Sequence, residues 1–115
     1  MRISLLGMLA FTAATALAAG CGDDVPSDPG DPVTATVSMP GFSFTPFTTT
    51  IAVGGSVTFD FPAEPHNVIF AKGAGAPADI QATKNAQVTR SFRTAGSFAY
   101  DCTLHPGMSG VVVAR

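Results

Sequence analysis

The chain has 115 residues, including 12 glycines and 9 prolines, with 6 basic and 8 acidic side chains and a net charge of −2. This length allows one domain at about 100–200 residues per domain, and few charges with many glycines and prolines disfavour a helical bundle, a coiled coil or an acidic disordered chain. There is no basic excess for nucleic-acid binding, and two cysteines are too few for a disulfide framework. An all-β domain with many turns fits best.

The first twenty residues have the layout of an export signal. Arg2 supplies a basic start, residues 3–19 carry no charge, and small residues stand just before Cys21. This order resembles a bacterial lipoprotein signal, in which the cysteine is acylated and becomes the new N-terminus. We therefore expect residues 1–20 to be a signal peptide and Cys21 to carry a lipid, on the periplasmic or another extracytoplasmic face of a membrane.

Three other interpretations of this segment remain open. The uncharged run of 17 residues is at the short end of what spans a bilayer, where about 20 are usual, so a retained transmembrane anchor is the weaker interpretation. Cleavage after Ala16-Leu17-Ala18 would leave a free Cys21 near the end of a flexible tail. A disulfide between Cys21 and Cys102 is also compatible with an exported protein.

Residues 21–32 are rich in aspartate, proline and glycine and contain too little apolar surface to fold alone. We expect them to form an acidic, extended tether, since they hold four of the eight acidic residues. The remaining residues, 33–115, carry five bases and four acids. With a domain charge near +1, strong electrostatic steering of a partner is not expected.

The domain shows short segments of alternating apolar and polar residues, separated by Gly and Pro turns, which predicts β-strands. A turn at 94–96 predicts a hairpin between the strands on either side of it, and only 78–86 allows a helical period. We expect a two-sheet sandwich of about seven or eight strands. The predicted strands are 33–39, 48–53, 56–61, 66–71, 87–93, 97–102 and 110–114.

The segment from Tyr100 to Met108 contains cysteine, histidine and methionine in the spacing C-x2-H-x2-M, as Cys102, His105 and Met108. Soft sulfur ligands favour Cu(I), and imidazole suits both copper oxidation states. Zinc would be expected to take a further Cys, His or carboxylate in place of the thioether. The spacing therefore predicts a copper site between the end of one strand and the start of the next.

The other histidine of the chain, His66, opens a strand of its own and completes a set of two imidazoles, one thiolate and one thioether. Taken singly, Cys102 is interpreted as a small buried hydrophobe, Met108 as a core residue and His105 as part of a turn. Together, in this spacing and with His66 between Pro65 and Asn67, they favour the metal site.

Residues 33–115 resemble the cupredoxins, small blue-copper proteins of the plastocyanin, amicyanin and pseudoazurin group. The resemblance rests on Pro65-His66-Asn67-Val68 and on the segment 100–110, whose His-to-Met spacing is the short form seen in amicyanin. It departs from the family at Phe59 and Phe61, where many relatives have Trp or Asn, and at 73–86, which shows no family motif. These departures concern the partner surface and not the site.

The resemblance implies a Greek-key β-sandwich that binds one copper ion cycling between Cu(II) and Cu(I). His66 and His105 would bind through ring nitrogens, Cys102 through its thiolate, and Met108 as the axial ligand. Around this set, Asn67 would tether Thr103, the residue after the cysteine.

The function that follows is an exported monomer carrying single electrons between redox proteins, which dock transiently near the apolar turn of His105. We expect segments 40–42 and 74–77 to surround this docking point. The alternative is a protein of the same fold that holds or delivers copper, and a purely structural sandwich comes last. An enzyme is not expected, because the ligands fill the coordination of the metal and both histidines are used, which leaves none for a Ser-His-Asp triad.

Overall fold

A computed structural model describes residues 30–115, and the expected signal segment and Cys21 lie outside this range. The described chain forms eight strands and no helix, so no helix within it is long and apolar enough to cross a bilayer. The predicted all-β sandwich is confirmed. Its strands are β1 (Thr34–Ser38), β2 (Thr48–Ile51), β3 (Ser56–Phe61), β4 (His66–Phe70), β5 (Ile80–Thr83), β6 (Ala86–Ser91), β7 (Gly96–Asp101) and β8 (Ser109–Ala114).

The strands form two sheets with a shared core. One sheet has the order β1-β3-β6 and the other the order β2-β8-β7-β4-β5. The pairs β1–β3 and β2–β8 are parallel, and the remaining pairs are antiparallel. In β3 and β8 every second residue is buried, as expected for strands with one face on a core.

The predicted hairpin around residues 94–96 is wrong. β6 pairs with β3 in the smaller sheet, whereas β7 pairs with β4 and β8 in the larger one. Phe92 lies at the crossing point and is fully buried, with its ring centroid 5.5 Å from that of Phe98. The backbone of Phe92 exchanges hydrogen bonds with the turn Gly54-Gly55. Phe92 is therefore fixed in the core at the point where the chain passes from one sheet to the other.

The helical period considered for residues 78–86 is also wrong. Ile80–Thr83 is strand β5, which pairs with β4 at the edge of the larger sheet. The Arg90 guanidinium donates hydrogen bonds to the carbonyl oxygens of Ala78 and Asp79, at 2.7 and 3.0 Å. These contacts and the burial of Ile80 hold the segment extended.

Aromatic rings fill the core between the sheets. The Tyr100 ring makes edge contacts with Phe44, Phe59 and Phe70, at centroid distances of 4.8, 5.4 and 5.7 Å. Gly110 lies opposite Tyr100 in the β7–β8 ladder, and a Cβ at Gly110 would lie 2.5 Å from the Tyr100 hydroxyl oxygen. A glycine is therefore required there for the ring to lie flat across β8.

Strand direction brings several loops to one end of the sandwich. β1, β3 and β7 end there, and β4 and β8 begin there. The connections 39–47, 62–65 and 102–108 consequently meet at this end, which we call the loop end. It carries His66, Cys102, His105 and Met108.

Candidate metal centre

Three donor side chains converge at the loop end. The Cys102 Sγ atom lies 3.9 Å from Nδ1 of His66 and 3.4 Å from Nδ1 of His105, and one donor atom from each residue falls within 4.8 Å of the other two. These distances place the three donors around a common point.

A single ion fits between these atoms. Metal bonds of about 2.0–2.3 Å to imidazole and thiolate leave the two donor atoms roughly 3.4–4 Å apart, which is the spacing observed for Cys102 and the two histidines. The donor chemistry, two imidazole nitrogens with one thiolate, is that of a blue-copper site when a weak thioether stands nearby. The residues present therefore suit copper.

The segment 102–108 is a closed loop that presents two of the donors. The Cys102 backbone N–H donates a hydrogen bond of 2.9 Å to the Met108 carbonyl oxygen. Cys102, a free cysteine, and Met108 are buried, whereas the His105 side chain is about one-sixth exposed, at 17%. The loop therefore buries its two sulfur-containing side chains and leaves the edge of the His105 imidazole at the surface.

Asn67 joins the segment of the first histidine to the segment of the cysteine. Its amide nitrogen donates to the Thr103 hydroxyl, and its amide oxygen accepts from the Thr103 backbone N–H, both at 2.8 Å. This pair of hydrogen bonds bridges the residues directly after His66 and Cys102, so contacts within the protein hold the two donor segments together.

Burial disfavours the charged form of His66. Desolvation lowers the pKa of His66 below its usual value, a nearby positive charge on His105 lowers it further, and Glu64 opposes both effects. Its Nε2 atom is buried and has no hydrogen-bond partner among the described residues. Packing therefore holds the ring with Nδ1 facing Cys102.

Two neighbours flank the imidazole at the surface. The Phe42 ring lies against His105 with centroids 4.6 Å apart and an angle of 32° between the planes. A carboxylate oxygen of Glu64 lies 3.5 Å from His105 Nε2. The expected rim segment 40–42 therefore includes a residue in contact with His105.

The other expected rim segment, 74–77, lies elsewhere, and that expectation is wrong. Gly75 lies against Thr94, just before the start of β7, at the opposite end of the sandwich from Cys102. Glu64 was missed by the sequence interpretation. Its position next to the Pro65-His66 motif is the one signal in the sequence that a carboxylate stands near the site.

Comparison with known proteins gives consistent matches. The family model for copper-binding proteins of the plastocyanin/azurin family matches residues 32–115. Amicyanin-alpha of Methylorubrum extorquens is 34% identical over 112 residues, covering 94% of this chain and 92% of that protein.

Solved structures of the same fold include an amicyanin and part of an enzyme. The amicyanin of Paracoccus versutus is 31% identical, with a TM-score of 0.61, over 80% of this chain and 86% of that one. A copper-containing nitrite reductase from Thermus scotoductus is 25% identical, with a TM-score of 0.62, over 81% of this chain but only 25% of the enzyme. With its family model spanning the whole sandwich and a relative 34% identical along almost its full length, this chain belongs to the plastocyanin/azurin family of copper-binding proteins.

Proposed function

We propose that this chain is an exported carrier of single electrons that holds one copper ion between His66, Cys102, His105 and Met108. The observation that supports this most directly is the convergence of two Nδ1 atoms on one buried sulfur, at 3.4 and 3.9 Å. Copper held by such a set would supply a one-electron couple between Cu(II) and Cu(I).

Different residues of the chain serve different functions at the proposed site. The buried thiolate of Cys102 would supply the strongest electronic coupling to a bound copper ion, and the thioether of Met108 would be a weaker ligand. The Asn67–Thr103 hydrogen bonds keep the donors at nearly fixed distances, so little rearrangement accompanies a change of charge. The exposed edge of His105 connects this interior to the surface, and a partner docking there exchanges the electron.

No enzymatic role is proposed. The four side chains of the proposed site leave no open position for a substrate, and the matched nitrite reductase is four times the length of its matching part. In that enzyme the similar region is a quarter of a larger chain, whereas this chain spans 86% of the amicyanin of Paracoccus versutus. The comparison favours a carrier over a catalyst.

The organisation of the whole chain is part of the proposal. Residues 1–20 would direct export, Cys21 would carry the lipid, residues 21–32 would form the tether, and 33–115 would be the copper domain. Asp31 pairs with Arg115 and the Pro32 carbonyl oxygen accepts from Ala52, so the last two residues of the proposed tether contact the sandwich. The domain would act as a monomer on the extracytoplasmic side and meet its redox partners there.

A copper titration followed by visible spectroscopy tests the function. The copper-loaded chain is expected to be intensely coloured through a thiolate-to-copper band, and the colour should bleach on reduction and return on oxidation without loss of metal. The variant Cys102→Ser should remove the band.

The matched control is Cys21→Ser, which changes the other cysteine of the chain and should leave the band unaltered. A colourless copper complex would contradict the carrier. Release of copper to a chelator at each reduction, with slow electron exchange, would instead favour a protein that delivers the ion.

A further inference from the structure

Glu64 lies on the exposed side of His105, in the connection between β3 and β4. Its carboxylate oxygen is 3.5 Å from His105 Nε2, and its side chain is 57% exposed. Because Nδ1 of His105 faces Cys102, Nε2 is the ring nitrogen on the side of Glu64, and an N–H there can donate to the carboxylate. The second carboxylate oxygen remains available to a group from outside.

Two exposed apolar side chains lie beside His105, one against its ring and one next to it in the chain. Phe42, which lies against the His105 ring, is 62% exposed, and Leu104 is 47% exposed. Large apolar side chains on a surface mark a contact region when they adjoin one another. We call the exposed edge of His105 with Phe42, Leu104 and Glu64 the electron port.

Docking at the electron port removes water from Glu64. Removing water from a carboxylate costs free energy when no positively charged group replaces the water, and pairing with a cationic group offsets this cost. Across an interface, such pairing mainly decides which partner binds and how fast it arrives. A purely apolar or acidic partner is thus disfavoured at this surface, although the domain as a whole is nearly neutral.

We propose that Glu64 makes the electron port selective for redox proteins that place a lysine or arginine side chain within an apolar contact surface. The inference rests on the proposed function, because it concerns the partner of the same site. Glu64 acts here on the partner and does not hold the metal, so copper binding and the selection of partners are separable.

The first experiment measures binding without electron transfer. The full chain in its diamagnetic Cu(I) form is titrated with two redox-inert paramagnetic complexes of opposite charge, hexaamminechromium(III) and hexacyanochromate(III), and amide line broadening is followed by NMR. The cationic complex should broaden the signals of residues 64 and 104–105 first. In Glu64→Gln this broadening should fall severalfold, and in Glu64→Lys the anionic complex should broaden the same signals.

The second experiment measures oxidation of the reduced protein by a cationic cobalt(III) phenanthroline complex and by anionic hexacyanoferrate(III). Removing one charge close to the point of contact should slow the cationic reaction and speed the anionic one, each by about fivefold at low salt, and the effect should shrink at high salt. The matched control is Asp60→Asn, which removes one charge at the same end of the sandwich but not in contact with His105. Its effect should be clearly smaller.

The outcomes separate the two proposals. Equal broadening by the cationic complex in the wild type and Glu64→Gln, or equal rate changes in Glu64→Gln and Asp60→Asn, would overturn the selective role of Glu64 and leave the carrier function standing. Absence of electron exchange with both oxidants, in a protein that still binds the cationic complex at residue 64, would overturn the carrier function instead.

Discussion

Asn67 and Thr103 illustrate how single residues prepare the copper site. Their two hydrogen bonds of 2.8 Å connect the strand that begins at His66 to the loop that begins at Cys102. Asn67 is buried and polar, and a buried polar group is costly when it loses its partners. The family resemblance predicted this tether, and the described structure contains both hydrogen bonds.

The variant Asn67→Ala should lower the free energy of unfolding of the copper-free protein by about 1–3 kcal/mol, because the Thr103 N–H loses its acceptor. The donor atoms should also become less well positioned, which would shift or weaken the visible copper band. Urea unfolding and a visible spectrum measure the two effects.

The control for Asn67 is Thr103→Val, which removes only the hydroxyl and keeps the backbone hydrogen bond to the Asn67 oxygen. Its loss of stability should be clearly smaller. Equal losses in both variants would show that the backbone hydrogen bond contributes nothing.

At the scale of elements, Asp79 fixes the long connection between β4 and β5. Its carboxylate accepts a 2.8 Å hydrogen bond from the Phe70 backbone N–H and pairs with Lys72 at 3.1 Å. The Phe70 hydrogen bond, followed by the contact with Lys72, lowers the pKa of Asp79. The carboxylate thus holds the end of one strand against the start of the next.

This shift predicts a pH dependence of stability. Because the pKa of Asp79 is lower in the folded state than the usual value of about 3.9 in an unfolded chain, its contribution is fully present above that value. The contribution is lost as the pH falls through the folded pKa. Asp79→Asn should therefore lower the urea midpoint at neutral pH, and the two proteins should converge in acid.

Lys72→Met serves as the comparison, since it removes the ion pair but keeps the hydrogen bond from Phe70. At neutral pH, Lys72→Met should lower the urea midpoint less than Asp79→Asn does, because an exposed ion pair contributes little to stability. If the difference in urea midpoint between wild type and Asp79→Asn stayed constant down to acid pH, the charge of Asp79 would not contribute to stability.

At the scale of the whole molecule, the chain enters the sandwich at the end opposite the copper site. The Pro32 carbonyl oxygen accepts from Ala52, Asp31 pairs with Arg115, and β1 runs from there towards the loop end. A tether attached at residue 30 would consequently leave the electron port facing away from its anchor.

A chain that consists of residues 30–115 should fold and bind copper with the same visible spectrum as the full chain. All the contacts described for the sandwich lie within it, so its free energy of unfolding should match that of the full chain within about 0.5 kcal/mol, the range usual for surface changes. Calorimetry and a copper titration measure this.

The control begins at Thr36 and lacks the first two residue pairs of β1 with β3. It should unfold several degrees lower, because β1 loses part of its hydrogen bonding to β3. A 30–115 chain that failed to fold, or lost the band, would contradict the proposed division of the chain into domains.

The sequence alone predicted the fold class, which the structure confirms, and a set of candidate copper donors. Alternating residues in β3 and β8 indicated half-buried strands, and Cys102, His105 and Met108 stand close enough in the chain for their spacing to predict a shared metal. Signals of this kind are local, since they depend on neighbours within a few residues.

Only the tertiary structure decided how the strands pair and what lies around the site. The turn at 94–96 has the composition of a hairpin, yet β6 and β7 lie in different sheets and the Phe92 ring between them is buried in the core. Glu64 and Phe42 meet His105 from loops far apart in the chain. Such contacts depend on the packing of the whole core, which no local pattern encodes, and they give the electron port its charge and its apolar surface.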